Sequence, residues 1–233
     1  MDGPTRVILE MGDRVVKLNL SVPQGDSGYA MAATKVEELV TRAALVAALQ
    51  REGLVERHSA AVQKKKLRRQ IRSGPIAHLA QVGRVAEQEK HELGVLFRFK
   101  PDADTHLAVR TAAGNMFTNA ETHRDVLVKY GLSLPVLEEF GRLLQEFDAA
   151  VVLGNAAQAK HVGATRELRA IAREIRRTVQ VMDGSNRQRF KNDPQLLGGW
   201  ISASKVARRP QASSATEASG GSPPPAGDVR PAA

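Results

Sequence analysis

The stretch from Leu134 to Asp183 constrains the fold of this chain most. Along it, positions alternate three and four apart without a slip: Leu137, Phe140, Leu144, Phe147, Val151, Gly154, Gln158, His161, Thr165, Leu168, Ala172, Ile175, Val179 and Met182. That spacing keeps one stripe of an α-helix facing a partner. Val136, Leu143, Ala150, Ala157, Ala164 and Ile171 each precede a seam position and widen the stripe. Three apolar positions per seven suit a helix buried in a bundle better than a two-stranded zipper. Two helices joined by a loop would restart the pattern out of phase. Here Leu168, Ile175 and Val179 stay on the frame set by Leu137 and Phe140, and no proline interrupts after Pro135. The stretch therefore predicts one helix, capped by Ser133, with Pro135 in its first turn and Gly184 as its stop. Fifty residues make a rod of about 75 Å, too long for the core of a compact sphere.

The remaining segments supply companions of similar length. A second helix is expected from about Gly28 to Arg72, capped by Asp26 or Ser27, with Tyr29, Ala32, Val36, Leu39, Ala43 and Val46 on one face. Gly53 invites a kink, and Ser73-Gly74-Pro75 reads as a stop followed by a new start. A third column runs from Ile76 to Tyr130, interrupted at Lys100-Pro101-Asp102 and resuming near Asp104 or Thr105. Gly131-Leu132-Ser133 is a connector so short that the next helix must fold back antiparallel. Residues 5–22 fit a short helix (Ile8, Met11, Val15, Leu18) better than a hairpin, because a lone hairpin is marginal in water. Pro23 to Gly28 is a break. Asp193-Pro194 opens a short helix ending near Lys205, from which Phe190, Leu196, Leu197 and Trp200 can fold back onto one end of the bundle. The expected fold is all-α: an elongated antiparallel bundle of three long columns within one domain, residues 1–206. Residues 207–233, rich in Pro, Gly, Ser and Ala, read as a disordered tail.

Composition narrows the class of protein. Hydrophobic residues make up 42% and aromatics only 4%, which favours alanine and leucine helix packing over a sheet sandwich. Cysteine is absent, so disulfide and thiolate chemistry are excluded and a reducing cytoplasm is the expected setting. The opening MDGPTRV lacks the basic start and apolar run of a signal peptide. The longest apolar run, Ala43 to Leu49, is far too short to span a bilayer.

The formal charge is +9, and its sharpest concentration is Arg57, Lys64, Lys65, Lys66, Arg68, Arg69 and Arg72, with no acid among them. Such a helix face suits salt-sensitive, sequence-blind phosphate binding. No aromatic is interleaved, so base stacking is unsupported. The competing reading is a solvated helix end, balanced by its own C-terminal dipole or by Glu87, Glu89 and Glu92. An anionic membrane surface is a third. Mid-seam, Gln158, His161 and Thr165 form a polar belt whose expected role is to fix register. None of the six histidines follows a glutamate by three residues, and Glu87 with His91 is a lone pair, so no metal site is expected. Phosphate-binding glycine loops, HExxH and GxSxG do not occur. Ser202-x-x-Lys205 lacks the motifs that accompany a catalytic serine–lysine pair. No cofactor and no catalytic residue is expected.

The stretch Gly131 to Val206 resembles a family of uncharacterised bacterial all-helical proteins. The matching pieces are Gly131-Leu132-Ser133, His161-Val162-Gly163-Ala164-Thr165, Met182 to Phe190, and Asp193-Pro194 with Leu196, Leu197 and Trp200. The resemblance implies an elongated bundle and a bacterial source, and brings no activity. The expected function is a non-enzymatic structural or interaction protein presenting a long rigid helical surface, with nucleic-acid binding as the alternative. A protein is the first expected partner. The strip Val152, Leu153, Ala156 and Ala159, off the main seam, is a candidate contact with a second copy.

Overall fold

The computed structural model describes residues 1–22, 26–88, 90–101, 103 and 105–206. Among the described residues every regular element is helical: α1 (Gly3–Ser21), α2 (Ser27–Ile71), α3 (Ala77–Ala86), α4 (His91–Leu96), α5 (His106–Thr122), α6 (Arg124–Lys129), α7 (Leu134–Arg189) and α8 (Pro194–Ser204). The protein is an elongated antiparallel bundle. The expected tail, part of the break after α1, the expected partner Glu89, Asp102 of the expected interruption and the candidate helix start Asp104 lie outside the described residues.

The helix starts follow side-chain chemistry. Asp26 accepts the Tyr29 amide at 2.8 Å, Asp2 the Thr5 amide at 3.0 Å, Thr105 the Ala108 amide, and Asp193 the Gln195 and Leu196 amides. Each satisfies a donor left open in a first turn. Ser133 occupies the N-cap of α7 but its side chain makes no capping bond there. Gly131 closes α6 with φ 96°, a left-handed conformation that suits glycine, and Leu132 N bonds back to the Leu127 carbonyl at 2.9 Å.

Two boundaries differ from the sequence expectation. The helix α7 runs past Gly184 to Arg189, 56 residues or about 84 Å. Buried Asn186 and Phe190 hold the extra turns in the core. Ser73-Gly74-Pro75 does not end α2 either. The chain passes through Arg72–Ile76 as a single π turn and continues into α3 with helical dihedrals on both sides. The first column is therefore residues 27–86. The return, residues 91–129, comes in the short pieces α4, α5 and α6, and α7 is the third column.

The π turn has a register consequence. Up to Ile71 the buried face of α2 follows Val36, Leu39, Ala43, Val46, Gln50, Gly53, Ala60, Leu67 and Ile71. A continued heptad would next use Gly74, His78 and Val85. Instead Pro75, Ile76, Leu79, Val82 and Ala86 are buried, a frame moved by one residue. A π turn is the helical way to absorb one extra residue, and it accommodates Pro75, which has no N–H to give.

The apolar core is in two parts. One gathers Leu67–Ala86 and α4–α6 around Leu137 to Ala150 of α7. The other gathers α1, the first half of α2 and α8 around Ala164 to Phe190. Between them, among the described residues, α2 and α7 pair alone, through Gln50, Gly53, Ala60, Gly154 and Ala157.

Candidate interaction surface

The long pair has two flanks. On one, α7 presents Leu153, Lys160, Glu167 and Glu174, seven residues apart. Lys35 pairs with Glu174, Arg42 with Glu167, and Lys160 with Glu52 and Glu56, all at the surface. Exposed pairs contribute roughly 0–1 kcal/mol each, so this ladder steers register more than it adds stability. The Glu52 and Glu174 carboxyls are lowered by their lysine partners.

The opposite flank carries the third layer. There Asp2 at the start of α1 pairs with Arg169 at 2.8 Å, and α5 pairs Arg110 with Asp148 and sets His106 against Phe147. Each heptad line on this flank shows where the layer stops. On α7, Leu144 is buried under the α5 end, and Ala172 and Val179 under the α1 end. Between them Val151 and Thr165 are only half-buried, and Gln158 is exposed. On α2, Val40 and Pro75 are covered while Leu54 is 50% exposed and Ala61 is exposed. Two heptads of the stalk, about 21 Å, thus lie open between α1 and α5.

This explains the fate of the expected polar belt. Gln158 does not join it, because no described helix covers its flank. His161 and Thr165 do, and their partner is Gln50 of α2, which the sequence reading missed. Gln50 Nε2 donates to Thr165 Oγ1 at 2.7 Å, Thr165 Oγ1 donates to the His161 carbonyl at 2.8 Å, and His161 Nδ1 faces the Gln50 carbonyl at 3.1 Å. A carbonyl only accepts, so Nδ1 carries the proton. The signal for Gln50 was its place on the α2 heptad, between Val46 and Gly53.

The basic cluster splits. Arg57 and Lys64 fall on the α2 heptad facing α7, and the Lys64 ammonium lies over Gly154, 3.4 Å from where a Cβ would stand. Long basic side chains can occupy such positions because their heads reach water. Lys65 and Arg69 point outward on the open flank, and Lys66 lies on the other side. Arg72 stacks over Phe99 at 5.7 Å, and Arg68 is half-buried. Burial pushes His106 below the ordinary imidazole value, and the Lys64 and Arg68 charges push the same way. The expected one broad face is thus a band that wraps the helix. Arg57, Lys64, Lys65, Lys66 and Arg69 make no ion pair with a described residue.

At the far end, the Met182–Phe190 segment is a structural clasp. Trp200 Nε1 and Arg187 both donate to Asp183 at 2.8 Å, Asn186 donates to the Tyr29 hydroxyl, and Arg189 stacks over Tyr29 and Phe190. Burial raises the Asp183 carboxyl, but the bonds from Arg187 and Trp200 outweigh it and the net shift is downward. Glu87 and His91 stand 3.6 Å apart, and no cluster of metal-ligating side chains occurs among the described residues. No described helix is long and apolar enough to cross a membrane. No family model, curated protein or solved structure matches the chain.

Proposed function

We propose that the protein is a non-enzymatic interaction protein that presents its stalk as a long rigid surface, in line with its resemblance to uncharacterised bacterial helical proteins. The observation that carries this reading is the apolar exposure of the stalk. Leu54, Val55 and Val62 of α2 and Val152 and Leu153 of α7 are all half or more exposed along the waist, where among the described residues only two helices pair. They look out on both flanks of the waist, Leu54 on one and Leu153 on the other, and exposed apolar surface gathered along one segment marks interaction sites. The test places photo-crosslinking residues in the full chain at Val55, Val62 and Leu153 on the stalk and at Leu107 on the end cap, in the cells that make it. Adducts at the stalk positions and none at Leu107 are expected. Adducts at Leu107 alone, or turnover of a small substrate in a broad activity screen, would overturn the reading.

A second reading, sequence-blind nucleic-acid binding, is favoured by the basic band, where Lys64, Lys65, Lys66 and Arg69 face no described carboxylate. A gel-shift titration across salt decides it. Retardation should weaken steeply with salt and vanish when these residues become glutamine. The exposed strip Val152, Leu153, Ala156 and Ala159 keeps self-association within the proposal. A concentration-dependent dimer in sedimentation, lost in Leu153→Glu, is the expected sign.

A further inference from the structure

The two-heptad opening between α1 and α5 has a defined length and charge. Its floor is Leu54 and Ala61 of α2 with Val151, Gln158 and Val162 of α7. Lys65 stands on its α2 rim, and Arg57 and Lys64 rise beside it out of the α2–α7 seam. Among the described residues, the nearby carboxylates on this flank are already held, Asp2 by Arg169 and Asp148 by Arg110. At both ends the same heptad lines are covered by helices of the chain itself, so the missing layer has the dimensions of a helix of about four turns.

We propose that this recess receives an acidic amphipathic helix of a partner protein. Its apolar side chains, spaced three and four apart, would lie on Leu54, Ala61 and Val162, and its carboxylates would flank Arg57, Lys64 and Lys65. The charge argues against a second copy here, since two such recesses face to face would bring like charges together. The inference rests on the stalk being an interaction surface and names the chemistry of what it holds.

The probe is a fluorescent 18-residue peptide with leucine on one helical stripe and glutamate on the flanks, titrated against the full chain by anisotropy. The control is a peptide of the same composition with its leucines dispersed round the helix. The striped peptide should bind at least tenfold more tightly than the control. Leu54→Glu, or Lys64→Gln with Lys65→Gln, should each weaken it tenfold or more. Leu49→Glu, on the opposite flank, should leave it unchanged. Circular dichroism of each variant confirms that helix content is kept. Equal binding of the two peptides, or indifference to Leu54→Glu, overturns the proposal. So does a duplex oligonucleotide bound through Lys64 and Lys65 while the peptide is ignored, or a dimer in sedimentation that Leu54→Glu dissolves. If the peptide fails while crosslinks at Val55 and Leu153 persist, the stalk reading stands and the recess assignment falls.

Discussion

At Gly53 the two long helices come close enough to exclude a methyl group. A Cβ there would lie 3.0 Å from the His161 nitrogen and 3.1 Å from the Ala157 carbonyl oxygen, both backbone atoms that cannot rotate away. Alanine normally gains about 1 kcal/mol over glycine in a helix. Here the overlap should win and Gly53→Ala should lose roughly 1–3 kcal/mol. Gly163, also mid-helix, meets nothing within 4 Å of its would-be Cβ, so Gly163→Ala should gain most of the propensity term. Urea unfolding of the two variants side by side checks the contrast, and equal signs would refute the close approach. The pH response can be argued at the same scale. Hydrogen bonds from Thr5, then the Arg169 guanidinium, hold the Asp2 carboxyl at about 2 against an ordinary 3.8. A depressed carboxyl stabilises the fold above its unfolded value and loses that contribution as pH falls toward the folded one. Between pH 4 and 2 the Tm should therefore drop more steeply in the native chain than in Asp2→Asn, which lacks the titrating group.

At the scale of elements, the π turn makes the frame shift in the first column testable. Deleting Gly74 would bring Pro75, Leu79, Val82 and Ala86 onto the heptad that ends at Ile71. Proline would then sit inside a regular α-helix at a cost of about 3 kcal/mol, so the deletion belongs in a Pro75→Ala background. That double change should leave helix content and the unfolding midpoint close to those of Pro75→Ala alone. Deleting His58, in the waist, should instead rotate the following half of α2 by about 100° and cost most of the core around Leu67 and Ile71. Circular dichroism with urea titration separates the two cases. This explains what the sequence made legible. In α7 the three-four spacing runs unbroken and the helix was readable end to end, apart from two turns at its close that Asn186 and Phe190 hold from inside the core. The one-residue skip at Ser73-Gly74-Pro75 looked like a stop, because glycine before proline usually is one. The short α4 and α6 carry too few turns to show a period. Gln158 and Leu144 share one heptad position, and only the layer above decides that one is wet and the other dry, so the open recess had no local signature.

Across the whole molecule the apolar core is split, and the split bears on how the chain unfolds. Core residues around Phe140 and Phe147 share no cluster with those around Ile175 and Trp200. What joins them is a pair of helices in contact mainly through alanine, glycine and one hydrogen-bonded glutamine, which bury little apolar area for the backbone they order. A chain whose connecting segment contributes so little should not unfold as one unit, since cooperativity needs shared burial. Trp200, the only tryptophan, sits fully buried in the α1–α8 end and reports on that end alone. Circular dichroism at 222 nm reports on both. Removing the Phe140 side chain should cost about 3–5 kcal/mol in the end that contains it. In Phe140→Ala, part of the helix signal should therefore melt early while the Trp200 fluorescence midpoint stays where it was. Ile175→Ala should do the reverse, moving the fluorescence midpoint and leaving a late helical phase. Hydrogen exchange should agree, with slow amides at both ends and faster ones from Arg51 to Ser59, facing Asn155 to Val162. Should both probes shift together in both variants, the waist would be coupling the ends more strongly than its contacts allow. The stalk would then be one cooperative rod, and a helix docked in its recess would stabilise the entire length; with separate ends, such a helix would instead be the element that welds them.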